Sequence, residues 1–307
     1  MKERVVVILG PTATGKSNCA IEVARRLNGE IISGDSMLVY QGMNIGTAKP
    51  TEEELALVPH HLVNILPPDA NFNVVDFVTE AKRLITEINA RGHLPIIAGG
   101  TGLYIKALLE GYEFSEVDED AELRSRLEKE AEDKGSDALY QKLMDLDPEA
   151  AKIIHPNNVR RVIRALEAAM GGSHVGQEGD RDASIYDAEV FGLTMERDFL
   201  YARINKRVDI MLEQGLEAEV KGLLDAGLSP DCQSMQAIGY RQMVWYLKDG
   251  MDREFAIDKL KQATRNFAKR QLTWYKKMPY VHWFMVDEKL DYPSIIQNMC
   301  AILEKKW

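Results

Sequence analysis

The stretch Gly10-Pro11-Thr12-Ala13-Thr14-Gly15-Lys16-Ser17 fits the phosphate-loop pattern GxxxxGK[S/T] at every fixed position. In such a loop the backbone N–H groups face phosphate oxyanions, the lysine adds a point charge and the hydroxyl ligates Mg²⁺. Gly10 through Ser17 are therefore the expected residues for a phosphate or diphosphate, with Ser17 as metal ligand and Mg²⁺ as cofactor. The context agrees: residues 5–9 form an unbroken apolar run suited to a buried parallel strand, and residues 18–27 read as the helix that follows. The loop alone leaves open whether the phosphate is transferred, hydrolysed or expelled as a leaving group.

Two further polar residues fall at strand ends. A strand predicted over 30–33 leads into Gly34-Asp35-Ser36, and one over 94–98 leads into Gly99-Gly100-Thr101-Gly102. Ligands of open α/β sheets bind outside the carboxyl ends of the strands, so Asp35 and Thr101 belong to the same edge as the phosphate loop. Asp35 reads either as a general base or as a carboxylate that holds Mg²⁺ through water. Thr101 either orients a substrate or caps the helix predicted over 103–109. Arg203 and Arg207 share one face of a helix predicted over 200–212, at i,i+4 spacing.

The elements that must position these residues repeat as strand, loop and helix. Phe77, Ala81, Leu84, Ile85 and Ile88 recur at helical spacing within 73–91, and Gly92 supplies a stop. This order is the signature of an α/β fold with a doubly wound parallel sheet, of the type that carries phosphate loops. After Gly111 the texture changes: 121–134, 136–144 and 156–170 read as helices with no strand candidate between them. A helical insertion over 116–183 is therefore expected inside an α/β core made of 1–115 and 184–307. Its exit, 171–183, is polar and Gly-rich, and reads as a hinge or surface loop. A strand over 190–194, a helix over 216–226 and a long basic helix over 252–277 complete the chain.

Composition narrows the function classes. With 307 residues, 45% hydrophobic and 28% charged, the chain can bury a full core, and no apolar run approaches the ~20 residues that cross a bilayer. No signal-peptide pattern precedes the first strand, so a cytoplasmic location is expected. Cys19, Cys232 and Cys300 form no CxxC pair and support neither a disulfide framework nor a zinc site. His60, His61, His155, His174 and His282 lack ligand spacing and read as structural or surface residues. A net charge of −10 argues against a nucleic-acid partner, but the average hides an asymmetry. Acids dominate 113–133, whereas Arg160, Arg161 and Arg164 cluster on one helix and Lys259, Lys261, Arg265, Lys269, Arg270, Lys276 and Lys277 form a second basic stretch. Phe267, Trp274 and Tyr275 are interleaved with the latter; taken together the two stretches suggest a surface for a polyanion.

Beyond the phosphate loop, Asp35-Ser36-Met37-Leu38-Val39-Tyr40-Gln41-Gly42-Met43-Asn44-Ile45-Gly46-Thr47-Ala48-Lys49-Pro50 resembles the hallmark of the tRNA dimethylallyltransferases. Gly99 to Tyr104, His155-Pro156-Asn157 with its following arginines, Ala237-Ile238-Gly239-Tyr240-Arg241-Gln242 and Ala268-Lys269-Arg270-Gln271-Leu272-Thr273-Trp274 are similar to further motifs of that family, in family order. The resemblance covers nearly the whole chain. It implies transfer of a dimethylallyl group from dimethylallyl diphosphate to the exocyclic N6 amine of the adenosine 3′-adjacent to the anticodon in tRNA, releasing diphosphate without ATP. The bacterial-type form is implied, since the chain ends at Trp307 without the Cys/His pattern of the eukaryotic zinc-finger extension.

The resemblance also assigns roles. Asp35, Lys16, Thr101 and Arg207 are the expected catalytic residues, with Arg207 favoured over Arg203 as the arginine on the diphosphate. Asp35, Ser36, Met37 and Leu38 should line the adenine pocket. Arg124, Arg160, Arg161, Val162, Ile163 and Arg164, with Gln236, Ala237, Ile238, Gly239, Tyr240 and Arg241, are the expected grip on the tRNA anticodon stem-loop. Thr12 and Thr14 are expected to add hydroxyl hydrogen bonds to the diphosphate. A monomer is expected, since the RNA supplies the second large surface. The alternative is a small-molecule or nucleotide kinase, which explains the phosphate loop and Asp35 but gives no reason for the motif after Asp35.

Overall fold

Arg4–Leu9 forms β1, and every side chain from Val5 to Leu9 is fully buried. A strand buried on both faces needs helices above and below it, and the order of elements supplies them. The computed structural model describes residues 2–112, 121–172 and 185–307. After β1 come α1 (Lys16–Arg26), β2 (Gly29–Ser33), α2 (Glu52–Leu57), β3 (His60–His61), α3 (Val74–Ala90), β4 (Leu94–Gly99) and α4 (Gly102–Leu109). The chain returns to the sheet with β5 (Asp187–Thr194), then α9 (Arg197–Glu213), α10 (Leu216–Asp225), a 3-10 turn (Ser234–Gln236), α11 (Tyr240–Leu247), α12 (Arg253–Tyr275), β6 (Val281–Met285) and α13 (Tyr292–Lys306). The six strands pair in the order β3-β2-β4-β1-β5-β6, and all are parallel. β1 lies inside the sheet between β4 and β5, so its carboxyl end opens where neighbouring strand ends converge.

The two faces of the sheet are filled differently. Val6 and Ile8 share a core with Cys19, Ile21 and Val23 of α1 and with Ile295, Ile296, Met299 and Leu303 of α13. The alternate residues of β1 point the other way, toward the layer to which α3 belongs. Truncating Ile8 to Ala would cost about 2–5 kcal/mol, the usual range for emptying a buried aliphatic site. β2 and β4 meet closely at their ends: a Cβ on Gly99 would fall 2.3 Å from the backbone of Gly34, so the end of β4 tolerates no side chain there. At the start of β2, buried Glu30 takes hydrogen bonds from Arg91 (2.8 Å), His61 (2.6 Å) and His93 (2.7 Å). Burial pushes its carboxyl up, but these partners outweigh burial and hold it down at about 2. His61 is thus structural, and the His60 ring is anchored on the Val58 carbonyl at 2.8 Å.

The chain divides into two compact units, one formed by Met1–Glu110 and Ala183–Trp307 and the other by Gly111–Asp182. The latter contains α5 (Ala121–Lys134), α6 (Ser136–Leu146), α7 (Pro148–Ile153) and α8 (Val159–Met170). Its own core includes Leu127, Leu139, Leu143, Val162, Ile163 and Leu166. The expected helix over 156–170 begins three residues late, because the Asn158 side chain accepts the Arg161 N–H and caps the helix there. Of the segment expected as a polar loop, all but Gly171 and Gly172 lies outside the described residues, as do His174 and residues 113–120 of the acidic stretch.

Candidate active site

The phosphate loop joins β1 to α1, and side chains from three later helices hold its backbone. Gln271 of α12 accepts the Thr12 N–H at 3.0 Å, Arg203 of α9 donates to the Ala13 carbonyl at 2.9 Å, and Tyr292 of α13 donates to the Thr14 carbonyl at 3.1 Å. Ala13 needs that support, since its φ of 68° is unfavourable for a residue with a Cβ. Gly15, at φ 85°, lies under the Tyr292 ring, where a Cβ would come within 2.5 Å. The Thr14 hydroxyl donates to the Pro11 carbonyl at 2.8 Å and Thr14 is fully buried. Its expected bond to the diphosphate is therefore corrected: the hydroxyl shapes the loop from within. Ser17, at the first turn of α1, is exposed.

Three cations gather beside this loop. Burial and then Arg207 push the Lys16 ammonium down to about 8, with Asp35 acting in the opposite sense. Burial also lowers Arg207, which feels Asp35 favourably and Arg203 unfavourably. Cations that depress one another and have one carboxylate among them form a site whose electrostatics call for an anion. Arg203 spends its Nε on the loop carbonyl and lies over the Phe199 ring at 5.8 Å, whereas Arg207 lines the cavity. The two arginines thus divide the work expected of them, one bracing and one facing the cavity.

That cavity, of about 290 Å³, brings Thr12, Asp35, Ser36, Met37, Thr101 and Arg207 together with Gln236, Ala237 and Ile238. One wall is apolar, from Val208 and Met211 of α9 and Leu260 and Phe267 of α12. Asp35 Oδ1 accepts the Met37 N–H at 2.9 Å, which turns the chain sharply after β2. Thr101 occupies the N-cap position of α4 but makes no side-chain capping bond. Its hydroxyl oxygen instead accepts the Ser36 N–H at 3.2 Å and ties the two strand-end loops together.

The segment after Asp35 is held by charge rather than by secondary structure. Glu219 of α10 accepts the N–H groups of Asn44 and Ile45 at 2.8 Å each and of Gly46 at 3.1 Å, plus the Tyr240 hydroxyl at 2.5 Å. Lys49 donates to the Tyr40 carbonyl and to Asn64 Oδ1, both at 2.5 Å, and burial pushes its ammonium down to about 8. Glu219 carries no recognisable motif, and the roles of Lys49, Gln271 and Tyr292 depend on partners far away in sequence.

Several expected RNA contacts need correction. Tyr240 is fully buried with its hydroxyl on Glu219, so it supports the loop at 44–46 instead of meeting RNA. Val162 and Ile163 are 0% and 4% exposed within the helical unit's core, and their side chains pack rather than contact. Arg124 pairs with buried Glu167 at 2.9 Å, and Arg164 reaches the same carboxylate at 3.4 Å. Both arginines compensate a buried charge, whereas Arg160 and Arg161 are exposed. Leu38 is half-buried, Gly239 adopts φ 101° before α11, and Arg241 lies over the Trp245 ring at 5.5 Å. Of the late basic stretch, Lys269 and Trp274 are exposed and Arg270 reaches the cavity.

Comparison with known proteins gives a consistent result. Residues 38–278 match the family model for IPP transferase. A tRNA dimethylallyltransferase of Oceanobacillus iheyensis is 46% identical over 315 residues, covering 100% of this chain and 99% of the relative. Another, from Halalkalibacterium halodurans, is 50% identical over 296 residues, covering 95% and 94%. The crystal structure of the full-length tRNA isopentenylpyrophosphate transferase from Bacillus halodurans aligns with TM-score 0.75 and 48% identity, over 99% of this chain and 97% of that one. A eukaryotic dimethylallyltransferase acting on tRNA aligns with TM-score 0.79 and 29% identity, over 97% and 77%. With its sheet, phosphate loop and full-length relatives, this chain belongs to the IPP transferase family.

Proposed function

We propose that this chain transfers a dimethylallyl group from dimethylallyl diphosphate to the exocyclic N6 amine of the adenosine 3′-adjacent to the anticodon in tRNA, and that it does so as a cytoplasmic monomer. The observation that carries the reading is one cavity in which Arg207, coupled electrostatically to Lys16, meets Asp35 and Thr101. Family membership supports it, as do relatives named for this activity. Among the described residues no helix is long and apolar enough to cross a membrane.

The chemistry follows from the charges. The bond between the allylic carbon and the diphosphate oxygen breaks, the carbon–N6 bond forms, and one amine proton must leave. Lys16 and Arg207 hold the departing diphosphate through charge that strengthens as its oxygens gain electron density. The adenine amine is a weak nucleophile because its lone pair is delocalised, so alignment and a base matter. Asp35 takes the proton, directly or through a water it holds, and Thr101 has its hydroxyl proton available to orient the acceptor. The apolar wall of Val208, Met211, Leu260 and Phe267 suits a five-carbon chain. A base stacked in the anticodon loop must be extruded to reach such a cavity; Arg160 and Arg161, exposed on the helical unit, supply charge that attracts an RNA backbone.

Mg²⁺ fits the oxygen donors present. It keeps several waters and would be held by the Ser17 hydroxyl together with the substrate phosphates. Among the described residues no group of three or more His, Cys, Asp or Glu side chains is disposed to hold a metal by itself. When bound, Mg²⁺ neutralises charge on the leaving diphosphate.

The test is mass spectrometry of unmodified tRNA incubated with enzyme, Mg²⁺ and dimethylallyl diphosphate, beside a reaction containing ATP alone. One dimethylallyl group gained on the adenosine beside the anticodon, independent of ATP, is the expected result. No gain, with ATP consumed in the presence of a small acceptor, would replace the transferase by a kinase.

A further inference from the structure

The leaving-group site and the acceptor site sit on different strand ends, and one side chain touches the loops of both. Gln271, 3% exposed within α12, accepts the Thr12 N–H of the phosphate loop through Oε1 at 3.0 Å. Through Nε2 it donates to the Gly100 carbonyl at 2.8 Å. Tyr275, one helical turn later and fully buried, donates its hydroxyl to the same carbonyl at 2.8 Å. Gly100 leads directly into Thr101, whose oxygen accepts the Ser36 N–H next to Asp35. A continuous hydrogen-bonded path therefore runs from Thr12 through Gln271, Gly100 and Thr101 to the Asp35 turn.

The chemistry of the link is specific. A primary amide offers an acceptor and a donor at once, and both are used here. Removing the acceptor leaves the Thr12 N–H without its partner, and removing the donor leaves the Gly100 carbonyl held by Tyr275 alone, with no tie to the phosphate loop. A Cβ at Gly100 would fall 2.3 Å from Nε2, so the glycine is what lets the amide approach. Because Oε1 takes the Thr12 N–H, that loop donor is turned toward the protein and away from a diphosphate.

We propose that Gln271 is a positioning residue of the transfer reaction, fixing the separation between the phosphate loop, where diphosphate departs, and the Asp35–Thr101 edge, where the amine attacks. The inference rests on the transferase reading above. It predicts a loss in the chemical step with anion binding preserved, because the amide spans the two loops without itself meeting the diphosphate.

Gln271→Glu tests it. The carboxylate still accepts from Thr12 but has no N–H for the Gly100 carbonyl and repels it. The expected signature is a single-turnover transfer rate lower by about 100-fold, the scale on which an ångström of misalignment slows an oriented reaction. Affinity for inorganic diphosphate, measured by calorimetry, and for tRNA should stay near the wild-type values. The deficit should also shrink as pH falls, since a protonated carboxyl regains a donor and mimics the amide; a packing defect would show no such recovery. Gly100→Ala, which displaces the amide without altering it, should show the same split between rate and binding and serves if Q271E folds poorly. A variant rate equal to wild type, or a loss that merely tracks weakened diphosphate binding, would overturn the role of Gln271. A wild-type enzyme that transfers no dimethylallyl group would instead overturn the transferase reading beneath it.

Discussion

The arginines of the α/β unit and those of the helical unit solve opposite problems. Arg203 and Arg207 are drawn into a crowded cationic site with Lys16, where burial lowers Arg207 and one carboxylate, Asp35, offsets the charge. Arg124 and Arg164 surround a single buried carboxylate, Glu167, which is 1% exposed, while Arg160 and Arg161 face solvent. The first set has excess positive charge and calls for an anion; the second is partly neutralised and partly hydrated. Arginines of one helical unit therefore do not all share a role: Arg160 and Arg161 suit long-range attraction of a polyanion, whereas Arg124 holds a helix pair together.

The largest expected effect tests the buried set. Arg207→Ala should lower single-turnover transfer by about 10²–10³-fold, as removal of a preorganised donor to developing charge does. A loss confined to tRNA affinity would remove Arg207 from the leaving-group site. Asp35→Ala should reduce turnover far more than tRNA affinity, and equal losses would reassign it from base to scaffold.

Next in size is a pH effect. Lys16, held at about 8, must be charged to grip a diphosphate, so calorimetric affinity for dimethylallyl diphosphate should fall by up to about tenfold per pH unit above 8. A flat profile from neutral pH to pH 10 would show that Lys16 does not carry the anion. The same group moves ligand-free stability the other way: between about 8 and its ordinary 10.5 the folded chain binds fewer protons than the unfolded one, so its contribution rises with pH.

Smaller effects probe the helical unit. Arg124→Ala should destabilise it by about 1–2 kcal/mol, less than a fully buried pair because Arg124 is partly exposed and Arg164 still faces Glu167. Thermal unfolding should register this with the transfer chemistry unchanged at saturating tRNA. Arg160→Ala or Arg161→Ala should leave stability intact and reduce the salt slope of tRNA binding by about one each. An unchanged slope would take that face out of the RNA interface.

Much of this was legible from local signals. The apolar run of β1, the loop glycines and the Asn73 and Asp252 caps have short-range causes, and the elements around them appear close to their expected bounds. β3 was not legible because it is two residues long. β6 was obscured by His282 and Trp283 within an otherwise apolar strand, and α13 by Pro293, which sits in its first turn. At the site, residue types at strand ends revealed Asp35 and Thr101. What Thr14 and Tyr240 do is set by partners and burial, so a pattern match could not separate their hydroxyls from those that face a substrate. Gln271 lies in a recognisable motif, but its partners are 259 and 171 residues away.

The three braces on the phosphate loop also impose an order on biosynthesis. Thr12, Ala13 and Thr14 leave the ribosome first, yet Arg203, Gln271 and Tyr292 follow only much later, the last of them 278 residues on. A nascent chain holds the loop's sequence long before it holds the loop's shape. Chains cut short before α13 would carry the motif with its Gly15 corner uncovered, so a truncated message yields a protein without a finished anion site rather than a partly active one.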